Sequence, residues 1–229
     1  MKILEIKNLY KSYDEKAVIQ GVSFDVLEGK IVGLLGKNGS GKTTLIKMIN
    51  DLLTIDKGEI LIDGKKISPE TKAIVSYLPE RSYLDKSNKV TQTLDFFQEF
   101  YKDFDRERAE KLLIELELDK NLKLSKMSKG MLEKLSLVLT MSRRAKLYIL
   151  DEPLGGVDPS TRDKILRTIM SNFGENSSLL ITTHLVSDIE KILDEVIIID
   201  GGKVVLSGDA DEIRSRENAS INDVFKRSV

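Results

Sequence analysis

Gly33-Leu-Leu-Gly-Lys-Asn-Gly-Ser-Gly-Lys-Thr-Thr44 runs from an apolar segment into a glycine-rich turn, then into a lysine and two threonines. From Gly36 to Thr43 it satisfies G-x-x-x-x-G-K-T, and the flanks suit that pattern: Lys30 to Leu35 reads as a buried strand and Thr44 to Leu53 as an amphipathic helix. Strand, glycine turn and helix N-terminus in that order make a grip for phosphate. Gly36, Gly39 and Gly41 are expected to take positive φ values and to let the backbone approach an anion without Cβ clashes. The N–H groups of Lys37, Asn38 and Ser40 then converge with theirs at a helix N-terminus. Lys42 is placed to reach the β- and γ-phosphates, Thr43 to offer its hydroxyl to Mg²⁺, and Thr44 to bond the α-phosphate. A glycine turn that merely opens a helix explains a glycine pair but not the full octet.

The 229 residues suffice for a substantial core, and one catalytic domain is the simplest organisation. Lys and Arg number 36 against 37 Asp and Glu, so net charge asks neither for nucleic acid nor for an anionic membrane, and no nucleic-acid partner is expected. With no cysteine and one histidine, His184, the chain has no disulfide framework, thiolate metal site or multi-histidine site. A reducing cytosol fits that usage. Met1-Lys-Ile-Leu-Glu-Ile-Lys-Asn8 is too polar for a signal peptide, and Glu195-Val-Ile-Ile-Ile-Asp200 is strand-length, so the chain is not expected to cross a bilayer by itself.

Residues 2–7 and 18–26 alternate like half-buried strands, and Glu59 to Ile67 reads as a hairpin turning at Asp63-Gly64, which together predict an antiparallel β layer. Ile31–Leu35, Ile74–Leu78, Leu147–Leu150, Leu179–Thr182 and Val196–Ile199 read as the buried parallel strands of an α/β core. Between Asp85 and about Ala145 helical periodicity takes over, with Leu94, Phe97, Tyr101 and Phe104 on one face and Ala109, Leu112, Leu113 and Leu116 on another. This block is expected to be a helical subdomain, residues 85–145, inserted into a core of residues 1–84 and 146–229 within one domain. A hairpin over Val196 to Leu206 and a polar helix after Gly208 complete the reading.

Leu147-Tyr-Ile-Leu-Asp-Glu-Pro153 puts two carboxylates at the end of a buried strand, the edge of an open α/β sheet where ligands collect. Asp151 is expected to hold Mg²⁺ through water, and Glu152 to polarise the water that attacks the γ-phosphate.

With these motifs in this order, the chain resembles the ATP-binding cassette family, the nucleotide-binding subunits of ABC transporters, over nearly its whole length. The resemblance implies a P-loop α/β core with an N-terminal antiparallel β layer and an inserted helical subdomain. It also implies ATP as substrate with Mg²⁺. In the family, a Ser-Gly-Gly-Gln-like signature opens a helix before the carboxylate strand; the corresponding stretch here is Met127-Ser128-Lys129-Gly130-Met131. The family's signature touches the γ-phosphate bound by the opposite subunit, so Ser128 and Gly130 are expected to serve a partner's ATP in a head-to-tail dimer. Tyr13 corresponds to the aromatic that stacks on adenine, with a turn tyrosine packed on the sheet as the competing reading and Tyr10 as the lesser candidate. Gly155-Gly-Val-Asp158 matches the loop that crosses the dimer interface, although Asp158 equally reads as the N-cap of a helix entered through Pro159. In Leu180-Ile-Thr-Thr-His184, the histidine matches the family's switch residue at the γ-phosphate.

Two departures stand out. Tyr77-Leu-Pro-Glu80 carries a carboxylate where the family usually has glutamine, which would bind the cation more strongly yet repel the γ-phosphate and Glu152. Lys129 and Met131 replace a glycine and the glutamine of the signature, so Lys129 either adds charge near the partner's γ-phosphate or points to solvent. The resemblance therefore predicts an ATPase that dimerises on ATP, with an identical or a different cassette. It would power transport, with export favoured, through separate transmembrane permease subunits at the inner face of the cell membrane. The permease is expected to dock a short helix in a groove to which Phe96, Phe97, Phe100 and Tyr101 contribute. An ATP-gated module with little turnover, or a cassette acting away from membranes, are the alternatives.

Overall fold

The computed structural model describes residues 1–174 and 176–229. In chain order the elements are β1 (Lys2–Tyr13), β2 (Lys16–Leu27), β3 (Ile31–Leu35), α1 (Lys42–Ile49), β4 (Lys57–Ile62), β5 (Lys65–Lys66), α2 (Pro69–Ala73) and β6 (Val75–Leu78). Then come α3 (Val90–Phe100), α4 (Arg106–Glu115), α5 (Lys129–Met141), β7 (Leu147–Asp151), α6 (Pro159–Asn172), β8 (Ser178–Thr183), α7 (Val186–Ile189), β9 (Glu195–Asp200), β10 (Lys203–Asp209), α8 (Ala210–Glu217) and α9 (Ile221–Ser228). They build two sheets, an antiparallel one in the order β2-β1-β4-β5 and a six-stranded one in the order β10-β9-β3-β8-β7-β6. In the larger sheet β9, β3, β8, β7 and β6 run parallel, and β10 returns antiparallel on β9.

Strand alternation divides the core in two. Val32 and Leu34 of β3, Ile149 of β7 and Leu180 of β8 pack with α1 and the antiparallel sheet; Ile31, Leu35, Leu150 and Ile181 face the helical side. The parallel strands are therefore buried on both faces, which is why they read as continuous apolar runs. At roughly 25 cal/mol per Å² of apolar surface removed from water, this two-sided burial is the main force holding the layers together.

The antiparallel strands run further than their alternation indicated. β1 continues past Lys7 because Asn8, at φ +47, takes up a bulge and donates its N–H to Ser23 Oγ at 2.8 Å. Beyond it the phase shifts, so that Leu9 and Lys11 are buried. The predicted hairpin turn is present, with Asp63 and Gly64 both at positive φ, the backbone of a type I′ turn.

Two helix limits differ from expectation. α1 begins at Lys42, two residues earlier than Thr44, because Gly41 occupies the N-cap at φ +110. It ends at Ile49 rather than Leu53: Asp51 turns to φ +58, its N–H donates to Met48 O and that of Leu52 to Lys47 O, a Schellman stop. α3 ends at Phe100, so Tyr101 and Phe104 lie beyond it; a turn, not helical periodicity, carries Phe104 into the core beside Phe97.

The helices α3 to α5 fall between β6 and β7, which pair with each other. Arg143, 4% exposed, binds this run to the sheet. Its guanidinium donates to Val75 O and Ala73 O, each at 2.6 Å, and to both carboxylate oxygens of Asp103 at 3.0 Å, and it lies 4.1 Å from the Tyr101 ring centre.

Candidate nucleotide site

Sheet order positions the site. β3 lies between β9 and β8, β8 between β3 and β7, and β7 between β8 and β6. The loop after β3, His184 after β8, Asp151 and Glu152 at the end of β7, and Glu80 after β6 therefore stand side by side along the carboxyl edge. Neighbouring strands are about 5 Å apart, within reach of these side chains.

In the loop, Gly39 and Gly41 have positive φ, and a Cβ on Gly41 would lie 2.7 Å from Ile19 Cδ1. Gly36 differs from the expectation: its φ is not positive, and its requirement is space, since a Cβ would stand 2.4 Å from Ser40 Oγ. Lys37, Asn38 and Gly39 are exposed, whereas Ser40 and Lys42 are buried and Thr43 and Thr44 half-buried in the first turn of α1. Lys42 Nζ donates to Gly36 O at 2.7 Å and Lys37 O at 3.2 Å, and lies 3.5 Å from Glu152 Oε1. The last distance marks electrostatic attraction rather than a hydrogen bond. Lys42 thus links the phosphate loop to the carboxylate strand.

Asp151 is 1% exposed; its Oδ1 accepts from Thr182 Oγ1 at 2.6 Å, and its Oδ2 is enclosed with no protein partner. Burial pushes its carboxyl above the ordinary range, the hydroxyls of Thr182 and Thr43 oppose that, and the charges of Glu80 and Glu152 add to it. An unpartnered buried carboxylate oxygen beside a threonine hydroxyl suits a hard divalent cation. Among the described residues no cluster of three Asp, Glu, His or Cys would hold a metal alone, so such an ion needs the oxygens of its substrate and water. Glu80 is exposed and shares with Thr43 and Asp151 the wall of a cleft of about 1290 Å³.

Glu152 takes φ +51, the left-handed region. Its N–H bonds Thr182 O and Thr182 Oγ1, each at 3.1 Å, and its Oε2 lies 3.0 Å from His184 Nδ1. Thr182 therefore touches both carboxylates. Its only sequence signal is its place two residues before His184, one period of strand alternation.

Other expected residues lie further out. Tyr13 is 45% exposed at the tip of the β1–β2 hairpin, opposite Lys16, and two residues on Val18 O abuts Gly41. The Lys11 ammonium sits 5.9 Å from the Tyr13 ring centre. Tyr10 packs against Gly21 and the Lys57 ammonium. Ser128 caps α5 by accepting from Met131 N–H at 3.2 Å, with Gly130 in the first turn beside Val157. Asp158 caps α6, accepting from Thr161 N–H at 3.1 Å and Thr161 Oγ1 at 2.7 Å. Ser128, Gly130 and Asp158 make no hydrogen bond to the phosphate loop; the α5 N-terminus meets the 155–158 turn instead.

One surface expectation is corrected. Phe97 is 5% exposed and packs against Tyr101 and Phe104, so it presents no surface; Phe96 and Phe100 are the exposed pair, stacked with ring centres 5.8 Å apart. Lys129 is exposed, 78% of its side chain facing solvent, and its Nζ lies 3.6 Å from Glu133 Oε1 on the same helix.

The ABC transporter family profile matches residues 19–155. The chain is 33% identical to the ABC transporter ATP-binding protein YtrB of Bacillus subtilis over 93% of its own length and 74% of that protein. It is 31% identical to the lipopolysaccharide export system ATP-binding protein LptB of Haemophilus influenzae, over 95% of each chain. Among solved structures, an ATP-binding subunit of an ABC transporter superposes with a TM-score of 0.89 at 30% identity, covering 98% of each chain.

Proposed function

The chain belongs to the ABC transporter family and is an ATPase, and from that premise we propose that it is the nucleotide-binding subunit of a membrane transporter, closing with a second cassette on ATP and driving separate permease subunits. The observation that carries this reading is the alignment of Lys42, Asp151, Glu152 and His184 at the ends of adjacent parallel strands.

The loop N–H groups of Gly36 to Thr44 and the Lys42 ammonium hold the β- and γ-phosphates. Thr43 and Asp151, with Glu80 beside them, would hold Mg²⁺, which neutralises phosphate charge when bound. Glu152 orients the attacking water and draws its proton, while His184 on Oε2 fixes the carboxylate's orientation and faces the γ-phosphate. Tyr13, at the tip of the hairpin whose second strand passes Gly41 at Val18 and Ile19, stacks on the base. Ser128, exposed, and Gly130, half-buried, sit at the N-terminus of α5, a suitable anion contact for the partner's ATP, and Asp158 lies at that interface. In this assignment residues 1–84 and 146–229 are the nucleotide-binding core and 85–145 the helical subdomain.

No helix of the described residues is long and apolar enough to cross a membrane. Similarity to ATP-binding proteins of ABC transporters supports assigning the membrane-spanning part to other chains, with this subunit on the cytoplasmic face. The 1290 Å³ cleft between core and helices, walled by Leu52, Tyr83, Phe100 and Tyr101, suits a short permease helix. Similarity to an export-system protein favours export.

Two measurements test the proposal. Phosphate release should be readily detected for the wild type and fall to background for Glu152→Gln, and light scattering should find ATP-dependent dimers in the latter. Equal, negligible hydrolysis in both proteins would favour an ATP-gated module instead.

A further inference from the structure

Glu133 is a half-buried carboxylate to which the mechanism above assigns no role. Its side chain is 18% exposed, its Oε1 lies 3.6 Å from Lys129 Nζ, and its Oε2 is enclosed without a hydrogen-bond partner. Burial pushes its carboxyl above the ordinary range and Lys129 opposes that only in part. Helix energetics do not explain the pair. A lysine four residues before a glutamate is the weaker i,i+4 order, and a cation in the first turn opposes the helix dipole.

What the pair does touch is the turn after Glu152. Gly156, at φ +80, packs against both members: a Cβ there would lie 2.8 Å from Lys129 Nζ and 3.0 Å from Glu133 Oε1. One residue earlier, Gly155 N–H donates to Glu152 O at 3.0 Å. Glu152 is the end of this chain of contacts, and its left-handed φ of +51 is one that a glutamate keeps only when its surroundings over-determine it. A second link runs through a cavity of about 20 Å³, room for one water, whose wall includes Glu133, Ser136 and Glu152. Glu133 Oε2 and Glu152 Oε1 are both enclosed and lack hydrogen-bond partners, so one water there would find an acceptor on each side.

We propose that Glu133 is a positioning residue for ATP hydrolysis: paired with Lys129, it braces the Gly155-Gly156 turn and so holds Glu152 in its working conformation. The inference rests on the reading of Glu152 as the residue that orients water. It makes Lys129 and Glu133 a unit that acts on turnover rather than on nucleotide affinity.

The test is a double-mutant cycle on the full chain, read as kcat and KM for ATP. Lys129→Ala and Glu133→Ala should each lower kcat about tenfold with KM within about twofold, and the double variant should lose no more than the worse single. Lys129→Arg, which keeps the pair, should return kcat to within about threefold of wild type. Hydrogen–deuterium exchange across residues 152–158 should quicken in Glu133→Ala while the sheet is unchanged, a readout independent of turnover. Additive losses in kcat, a rise in KM alone, or unchanged exchange in that segment would overturn the proposal. If Glu152→Gln matched wild type in the same assay, the role of Glu152 would fail, and the exchange measurement would still decide the brace.

Discussion

His184 Nδ1 lies 3.0 Å from Glu152 Oε2, so the strand-end histidine and the strand-end carboxylate of two neighbouring strands form one unit. A carboxylate only accepts hydrogen bonds, so the contact keeps a proton on Nδ1. His184→Ala should therefore lower kcat by about a hundredfold, the lower end of what a general-base arrangement contributes, with KM changed far less. Steady-state phosphate release measures both, and activity within twofold of wild type would remove His184 from the mechanism.

Lys42 donates to two loop carbonyls and faces Glu152, so its ammonium both shapes the loop and supplies positive charge to the phosphates. Lys42→Ala should weaken ATP binding by about tenfold or more, the scale of losing a charge-assisted hydrogen bond. Titration with a fluorescent ATP analogue reads this directly; unchanged affinity would contradict it.

Glu80 is the charged neighbour that can be removed with least disturbance, because it is exposed. Its charge helps to raise the Asp151 carboxyl, behind burial as the main cause. Glu80→Gln removes that repulsion, so Asp151 stays ionised to lower pH and the acid limb of the pH–rate profile should move down. At neutral pH activity should stay within about threefold of wild type. Complete loss would make the carboxylate a required ligand.

Arg143 ties the helical run to β6 through two backbone carbonyls and Asp103. Arg143→Ala would leave those groups unpaired and should cost about 3 kcal/mol, read from the urea midpoint. Arg143→Lys should recover little of it, since a single ammonium cannot reproduce a planar fork with three sets of partners.

Asp105 caps α4, accepting from Arg108 N–H at 3.0 Å, and Arg144 lies 2.9 Å from its other oxygen. The Arg108 N–H, and then Arg144, hold its carboxyl below the ordinary range. A lowered folded value means that this stability is present above the unfolded carboxylate pKa and is lost as pH falls through the folded one. Asp105→Ala should cost about 1 kcal/mol at neutral pH, and the difference from wild type should shrink in strong acid. A constant difference across that range would contradict the assignment.

Much of the fold was legible because its signals are local. Continuous apolar runs marked the parallel strands, Asp63-Gly64 marked a turn that only a few residue types make, and the glycine loop announced a strand-to-helix junction. The misreadings arose where a local backbone turn or a tertiary contact overrode a period. The bulge at Asn8 shifted the phase of β1, Asp51 stopped α1 early, and the turn after Phe100 placed Phe104 where a helix would have. Thr182 and Glu133 are not legible in the sequence because a threonine in a strand and a glutamate on a helix carry no local mark; only their neighbours give them work.

By itself the sequence determined that apolar strands build the core with a helical run between them, and that a phosphate-binding loop and a pair of carboxylates lie at strand ends, since these follow from residue type, spacing and backbone preference. Only the tertiary structure decided their adjacency. The order β3-β8-β7-β6 sets the loop, His184, Glu152 and Glu80 next to one another although more than a hundred residues separate Lys42 from Glu152. It also turned Lys129 onto Glu133 against Gly156. The reason is that strand order and side-chain direction are fixed by long-range pairing and by burying both faces of the sheet, neither of which is written in any short stretch of chain.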